Sequence, residues 1–97
     1  ISRAYDEMNR GDELIAEGKF DEAGIAYENA SRLAPGNMRI LFWHAVTLVT
    51  NNEVDRSLPI FKKVFAADQN WRELVPRLIT AELFPEHKEI LERVLGQ

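Results

Sequence analysis

A pattern of small, aromatic and turn-forming residues recurs after 34 positions in this 97-residue chain. A fixed period of roughly 20–50 residues is the signature of a repeat architecture. The aligned positions keep the character of the side chain, with small on small, aromatic on aromatic and turn residue on turn residue: Gly11 on Ala45, Leu14 on Leu48, Gly18 on Asn52, Tyr27 on Phe61, and Ala30 on Val64. We therefore expect two related units followed by a third segment.

Each unit has the spacing of two helices. From Ala23 to Leu33 the small and apolar residues recur every three or four positions, as on one face of a helix. Glycine tolerates a left-handed helix end, and Asp or Asn caps the next helix with its side-chain oxygen. The first predicted helix covers about residues 2–17, and the second is capped by Asp21 and ends before Pro35. The third covers residues 38–50 and is capped by Asn37. The fourth is capped by Asp55, has Pro59 in its first turn and runs to about residue 67.

The last third of the chain departs from the period. Asn70 with Glu73 three residues later has the pattern of a capping box. Pro76 then predicts a kink, and Pro85 predicts a second break. A short amphipathic helix follows, with one apolar side formed by Ile90, Leu91, Val94 and Leu95. We interpret residues 71–97 as a degenerate third unit that closes the core toward water.

Charge and composition exclude several classes of partner and chemistry. The net charge is −4 and the basic residues form no cluster, so we expect neither nucleic acid nor a membrane as partner. The chain has no cysteine, which excludes disulfides, thiolate catalysis and cysteine-bound zinc. This composition is compatible with a cytoplasmic location, which we expect.

No catalytic constellation is visible. We expect His44 to be a partly buried, hydrogen-bonded residue at a helix contact, and His87 to be a solvated surface residue. A single histidine with flexible carboxylates is a weak metal site. Neighbouring acidic residues such as Asp12 and Glu13 point about 100° apart on a helix and do not share a site. We therefore predict that this chain is not an enzyme and has no cofactor and no metal.

The repeated residues resemble the signature of the tetratricopeptide repeat. The first unit carries the whole signature, and the second unit keeps fewer of its positions. The signature positions of the first unit are Gly11, Leu14, Gly18, Phe20, Ala23, Tyr27, Ala30 and Pro35. The resemblance implies an all-α fold of about six helices, in which antiparallel hairpins stack into a short right-handed solenoid. It also implies one domain over residues 1–97, with repeats at about 4–37 and 38–70.

In this family the first helices of the repeats line a concave groove that binds proteins or peptides. The groove positions carried over to this sequence are Tyr5, Met8, Asp12, Ile15 and Ala16, then Arg39, Phe42, Val46, Val49 and Thr50, and in the third unit Glu73, Pro76 and Thr80. They predict a largely apolar groove with one strong cation, Arg39. Such a groove suits a partner helix or an extended peptide. Equally, a neighbouring domain of the parent chain or a second copy could cover it.

One subtype of the family is disfavoured here. Members that clamp a chaperone's C-terminal carboxylates need basic residues and asparagine in the groove, but Met8, Asp12 and Trp43 occupy the corresponding positions. An acidic residue where an anion should dock is unfavourable.

A second resemblance concerns the parent protein. The segment from Phe42 to Leu78 resembles the C-terminal repeat module of some bacterial predicted N-terminal-nucleophile hydrolases. It implies an alternative role as an accessory or oligomerisation domain, with the catalytic domain upstream. We expect the chain to be a piece of a longer protein, since it starts at Ile1 and not at methionine.

Overall fold

A computed structural model describes residues 3–97 and forms six α-helices with no strand in that part of the chain. The helices are α1 Arg3–Ala16, α2 Phe20–Leu33, α3 Met38–Thr50, α4 Val54–Ala67, α5 Asn70–Thr80 and α6 Lys88–Leu95. The all-α architecture of about six helices is therefore confirmed. The residues before Arg3, where we expected α1 to begin, lie outside the described part.

Three local turn signals act as the sequence predicts. Gly18 and Asn52 end α1 and α3 with positive φ angles of 76° and 64°. Both sit in the left-handed region, which glycine and asparagine tolerate best. Asn37 caps α3, because its Oδ1 accepts a hydrogen bond from the Ile40 N–H at 3.2 Å.

Three predicted caps are wrong. Asp21 and Asp55 lie inside the first turns of α2 and α4, whose N-cap residues are Lys19 and Glu53 and make no side-chain cap hydrogen bond. Asn70 is the first residue of α5, and its N–H donates to Asp68 Oδ1 at 2.9 Å. In α2 and α4 the earlier start adds an apolar residue, Phe20 or Val54, and both are partly buried.

Of the three prolines after residue 50, two lie inside helices and one lies between helices. Pro59 is the sixth residue of α4, so it lies beyond the first turn where we expected it. Pro76 lies within α5, and the helix continues for four residues after it. Pro85 lies in the break between α5 and α6, as predicted. His87 then caps α6, because its Nδ1 accepts from the Ile90 N–H at 3.4 Å.

Neighbouring helices pack in chain order and produce two apolar clusters. α2 packs against both α1 and α3, and α4 packs against α3. The first cluster lies between α1 and α2 and includes Ile40 at the start of α3. The second cluster is formed by residues of α3, α4, α5, α6 and the loop before α6, and it contains the buried rings of Phe42, Phe61 and Phe65. Trp43 packs against both clusters, so α3 joins the two halves of the core.

The third segment closes the second cluster. Val75 and Leu78 of α5, Phe84 of the connecting loop and Val94 of α6 are all buried in it. Both α5 and α6 contact α4. Asp55 of α4 and Arg93 of α6 form an ion pair at the edge of this contact.

Candidate functional site

The carried-over groove positions of the first two units define what we call the concave face. Its members on α1 are Tyr5, Met8, Asp12, Ile15 and Ala16, and its members on α3 are Arg39, Phe42, Val46, Val49 and Thr50. Residues on one helix at spacings of three or four positions share a face. The solvent exposure of these side chains decides which of them can meet a partner.

Four members of the concave face are buried within the chain itself. Met8, Phe42, Val46 and Val49 each expose 4% or less of their surface. The Phe42 ring has neighbours on two other helices: its centroid lies 4.9 Å from that of Trp71 on α5 and 6.0 Å from that of Phe61 on α4. The expectation of an open, largely apolar groove is therefore wrong, because its most apolar members belong to the core of this chain.

The remaining members keep contact with solvent. Tyr5, Ala16 and Arg39 are exposed, and Asp12, Ile15 and Thr50 are partly buried. Tyr5 is 50% exposed, a large value for an aromatic side chain. The accessible part of the concave face is therefore small and mixed in character, with one aromatic ring, two aliphatic side chains, one hydroxyl and two charges.

A buried tyrosine holds one of those charges in place. The Tyr27 hydroxyl donates to Asp12 Oδ1 at 2.5 Å, across the α1–α2 contact. Burial of the ring, together with the hydrogen bond and the charge of Asp12, raises the pKa of Tyr27 well above its usual range. The positive charge of Arg39 acts on the pKa of Tyr27 in the opposite direction, with a smaller effect. The repeat pattern marks Tyr27 as one of its aromatic positions, whereas the hydrogen bond to Asp12 is visible only in the structure.

His44 departs in part from the expectation. It is buried, as a core residue should be, but its Nδ1 has no hydrogen-bond partner among the described residues. Burial lowers the pKa of His44, which favours the neutral ring. It lines a cavity of about 160 Å³ between α2, α3 and the start of α4, whose other polar walls include Glu28, Asn51 and Arg56.

The three groove positions of the third unit, Glu73, Pro76 and Thr80, are all exposed on α5. A cavity of about 350 Å³ opens on this helix. Trp71 and Leu74 provide its apolar wall, and Asp68, Glu73 and Arg77 provide its charges. It does not connect to the concave face, since no residue of α1 or α3 lines it.

Within residues 3–97, no cluster of three or more His, Cys, Asp or Glu side chains has the arrangement of a metal site. None of the six helices is both long and apolar enough to cross a membrane.

Comparison with known proteins bears on the family. The tetratricopeptide repeat family model matches residues 14–81, which include α2, α3, α4 and α5. Searches of curated proteins and of solved structures found no match, so nothing in the comparisons supports the hydrolase relationship. The match covers more than half of the chain and agrees with the all-helical architecture. This chain therefore belongs to the tetratricopeptide repeat family.

Proposed function

We propose that this chain is a non-catalytic module that binds a peptide or helix of another protein through the accessible part of the concave face. Tetratricopeptide repeat domains generally bind proteins or peptides and are generally non-catalytic. The single observation that supports this surface is the exposure of Tyr5 and Arg39 at two groove positions.

The chemistry of these two residues suggests what the partner offers. A half-exposed tyrosine buries much area at little entropic cost, so Tyr5 is suited to contact an apolar side chain of the partner. The Arg39 guanidinium can bind a carboxylate with two parallel hydrogen bonds. We propose a short segment that places an apolar anchor near Tyr5 and a carboxylate at Arg39.

The buried members of the concave face have a supporting role in this proposal. Phe42, Val46 and Val49 sit in the core and hold α3 against α4 and α5. Their contribution to binding is the rigid position of Arg39 on the first turn of the same helix. A preorganised side chain loses less conformational entropy when the partner arrives.

A selection with a random peptide display library tests the proposed surface. Binders are selected on wild-type protein, and their affinities are then measured by calorimetry on Arg39→Ala and Tyr5→Ala. We expect each substitution to weaken binding at least tenfold, and the matched control Lys62→Ala, an exposed residue of α4, to leave it unchanged. Peptides that bind both variants as tightly as wild type would contradict this location of the site.

A further inference from the structure

The contact of α2 with α3, which we call the seam, joins the first repeat to the second. It is less extensive than the contacts within each repeat, since α2 packs more extensively on α1 and α3 packs more extensively on α4. One end of the seam is apolar and contains Ile40 and Trp43 of α3. At the other end lies the cavity of about 160 Å³ that His44 lines.

Polar side chains of α3 meet α2 at this second end. A Cβ atom at Gly24 of α2 would lie 3.1 Å from Asn51 Nδ2 and 3.5 Å from Thr47 Oγ1. Asn51 Nδ2 donates to the Phe20 carbonyl across the seam at 3.2 Å, and Thr47 Oγ1 donates to the His44 carbonyl at 2.8 Å. These two side chains are therefore hydrogen-bonded, whereas the His44 ring beside them is not.

The His44 ring is buried in a state that suits only its neutral form. The residue is 7% exposed, and its Nδ1 has no hydrogen-bond partner among the described residues. A neutral imidazole carries one N–H, but a protonated one carries two N–H donors and a positive charge. A buried charge is costly unless it is paired and hydrogen-bonded. Burial accordingly lowers the pKa of His44.

The carboxylates nearest to the ring are already bound to arginines. Glu28 of α2 acts most strongly on His44 among the charged groups. One Glu28 oxygen accepts from Arg32 at 3.1 Å and the other from Arg56 at 3.3 Å. Glu53 is bound to the same Arg56 at 2.8 Å. A proton on His44 would therefore add a cation beside two guanidinium groups, with these carboxylates already engaged.

Asp21 is the remaining carboxylate of the cavity wall. It is exposed in the first turn of α2, seven positions before Glu28 and about 10 Å from it along the helix axis. It is therefore no substitute for Glu28 as an acceptor for the ring. Water can hydrate a protonated His44 fully only when the elements around the cavity move apart.

We propose that the α1–α2 pair detaches from α3 and α4 as a unit, and that proton uptake by His44 favours this open state, so that mild acid opens the seam. The first repeat is the side that leaves, because α3 and α4 share the larger apolar cluster with the fully buried Phe42, Phe61 and Phe65. A helix pair that loses its neighbour no longer buries its apolar stripe and unfolds locally.

Native-state hydrogen exchange at about pH 7.5 and pH 5.5 tests this opening, after correction for the intrinsic exchange rate. The amides of α1 and α2 should be less protected than those of α4 at both pH values. Since an unfolded histidine has a pKa of about 6.5, the open state should become up to about tenfold more populated in acid. The protection of α1 and α2 should fall by that factor in wild type and stay constant in His44→Gln. His87→Gln is the matched control and should respond like wild type.

Three exchange results would overturn the proposal. Equal protection of α1, α2 and α4 would mean that the chain opens only as a whole. A pH-independent protection of α1 and α2 in wild type would mean that His44 stays buried when they open. An equal fall in wild type and His44→Gln would assign the acid response to another group.

An NMR titration of the two histidine rings gives a test that needs no variant. His44 should titrate at a lower pH than the exposed His87. A His44 ring that titrates near its ordinary pKa of about 6.5 in the folded chain would remove the link between proton uptake and opening.

One consequence of the opening rests on the proposed function. Tyr5 lies on α1 and Arg39 on α3, so a partner that contacts both binds only the closed seam, and its binding opposes proton uptake. A peptide selected from the display library should restore the protection of α1 and α2 at about pH 5.5. A peptide that binds without this effect would contradict a binding site that spans both helices, whereas the opening is judged by the exchange data alone.

Discussion

A Cβ atom at Gly11 would lie 2.8 Å from both Cε1 and Cζ of the Tyr27 ring. The ring is fully buried and its hydroxyl is hydrogen-bonded to Asp12, so it has little room to move. The absence of a side chain at Gly11 therefore sets the distance between α1 and α2.

Gly11→Ala should destabilise the fold. Overpacking a core costs about 1–3 kcal/mol, and the higher helix propensity of alanine offsets up to about 1 kcal/mol of it. We expect a net loss of about 1 kcal/mol in the free energy of unfolding, measured by urea titration. Gly36→Ala is the control, because a Cβ there meets nothing within 4 Å and its change should stay within about 0.5 kcal/mol. If the two variants were equally stable, α1 and α2 would have to move apart without cost, and the prediction would be wrong.

Tyr27→Phe should remove the hydrogen bond to Asp12 without changing the ring. A hydrogen bond to a charged group contributes about 1.5–3 kcal/mol, and we expect the lower part of this range because Asp12 is only partly buried. The raised pKa of Tyr27 adds a pH dependence. The stability that the protonated Tyr27 hydroxyl contributes is fully present below the ordinary tyrosine pKa of about 10, and it is lost as the pH rises above that value.

Alkaline unfolding curves measure this effect. Wild type should lose more stability than Tyr27→Phe between about pH 9 and pH 11, since only wild type carries the tyrosine that ionises on unfolding. Parallel curves for the two proteins would argue against the buried hydroxyl as the source of the pH dependence.

His44 should make the fold sensitive to mild acid. Its pKa is lowered by burial, so the unfolded chain binds a proton that the folded chain resists. Stability is therefore complete above the unfolded histidine pKa of about 6.5 and declines as the pH falls below it. The charged groups that act on the ring are of both signs, Glu28 and Arg32 from α2 and Glu53 and Arg56 at the start of α4.

Urea titrations at about pH 8 and pH 5 compare wild type with His44→Gln. The glutamine variant should lose less stability than wild type on acidification, because the carboxylates titrate in both proteins and only the histidine differs. His87 remains in both chains and serves as an internal control. An equal loss in the two proteins would show that His44 does not carry the acid sensitivity.

The attachment of α6 should depend on burial and not on its ion pair. Arg93 and Asp55 have side-chain exposures of 49% and 87%, and exposed pairs contribute about 0–1 kcal/mol. Val94 is fully buried beside them, and deleting its methyl groups leaves a cavity. We expect Val94→Ala to cost about 2 kcal/mol and Arg93→Ala less than half of that, as measured by thermal unfolding. A larger loss in Arg93→Ala would reverse this ranking.

Agreement between sequence and structure is best where a residue acts within its own segment. Gly18 and Asn52 end their helices because backbone sterics favour them at positive φ, and Asn37 caps α3 because its side chain reaches a nearby N–H. Glu82 could not be predicted in this way. It adopts a φ of 62° after α5, although glutamate is not one of the residue types that usually indicate a positive φ.

The predicted caps at Asp21 and Asp55 were wrong because the competing energies are small. A side-chain cap contributes about 1 kcal/mol, which burial of one more apolar side chain can outweigh. Each helix begins one residue before the expected cap, at Phe20 or Val54, and both of these apolar side chains are partly buried.

The sequence by itself determined the number of helices, most of their turns and the repeat that identifies the family, because these depend on local sterics and on apolar periodicity. Only the tertiary structure decided that Phe42, Val46 and Val49 are core residues and that Ile25 and Leu33 are surface residues. Periodicity shows which face of a helix is apolar, but burial depends on what packs against that face. Here Trp71 of α5 covers Phe42, while none of the described helices covers Ile25 or Leu33 of α2.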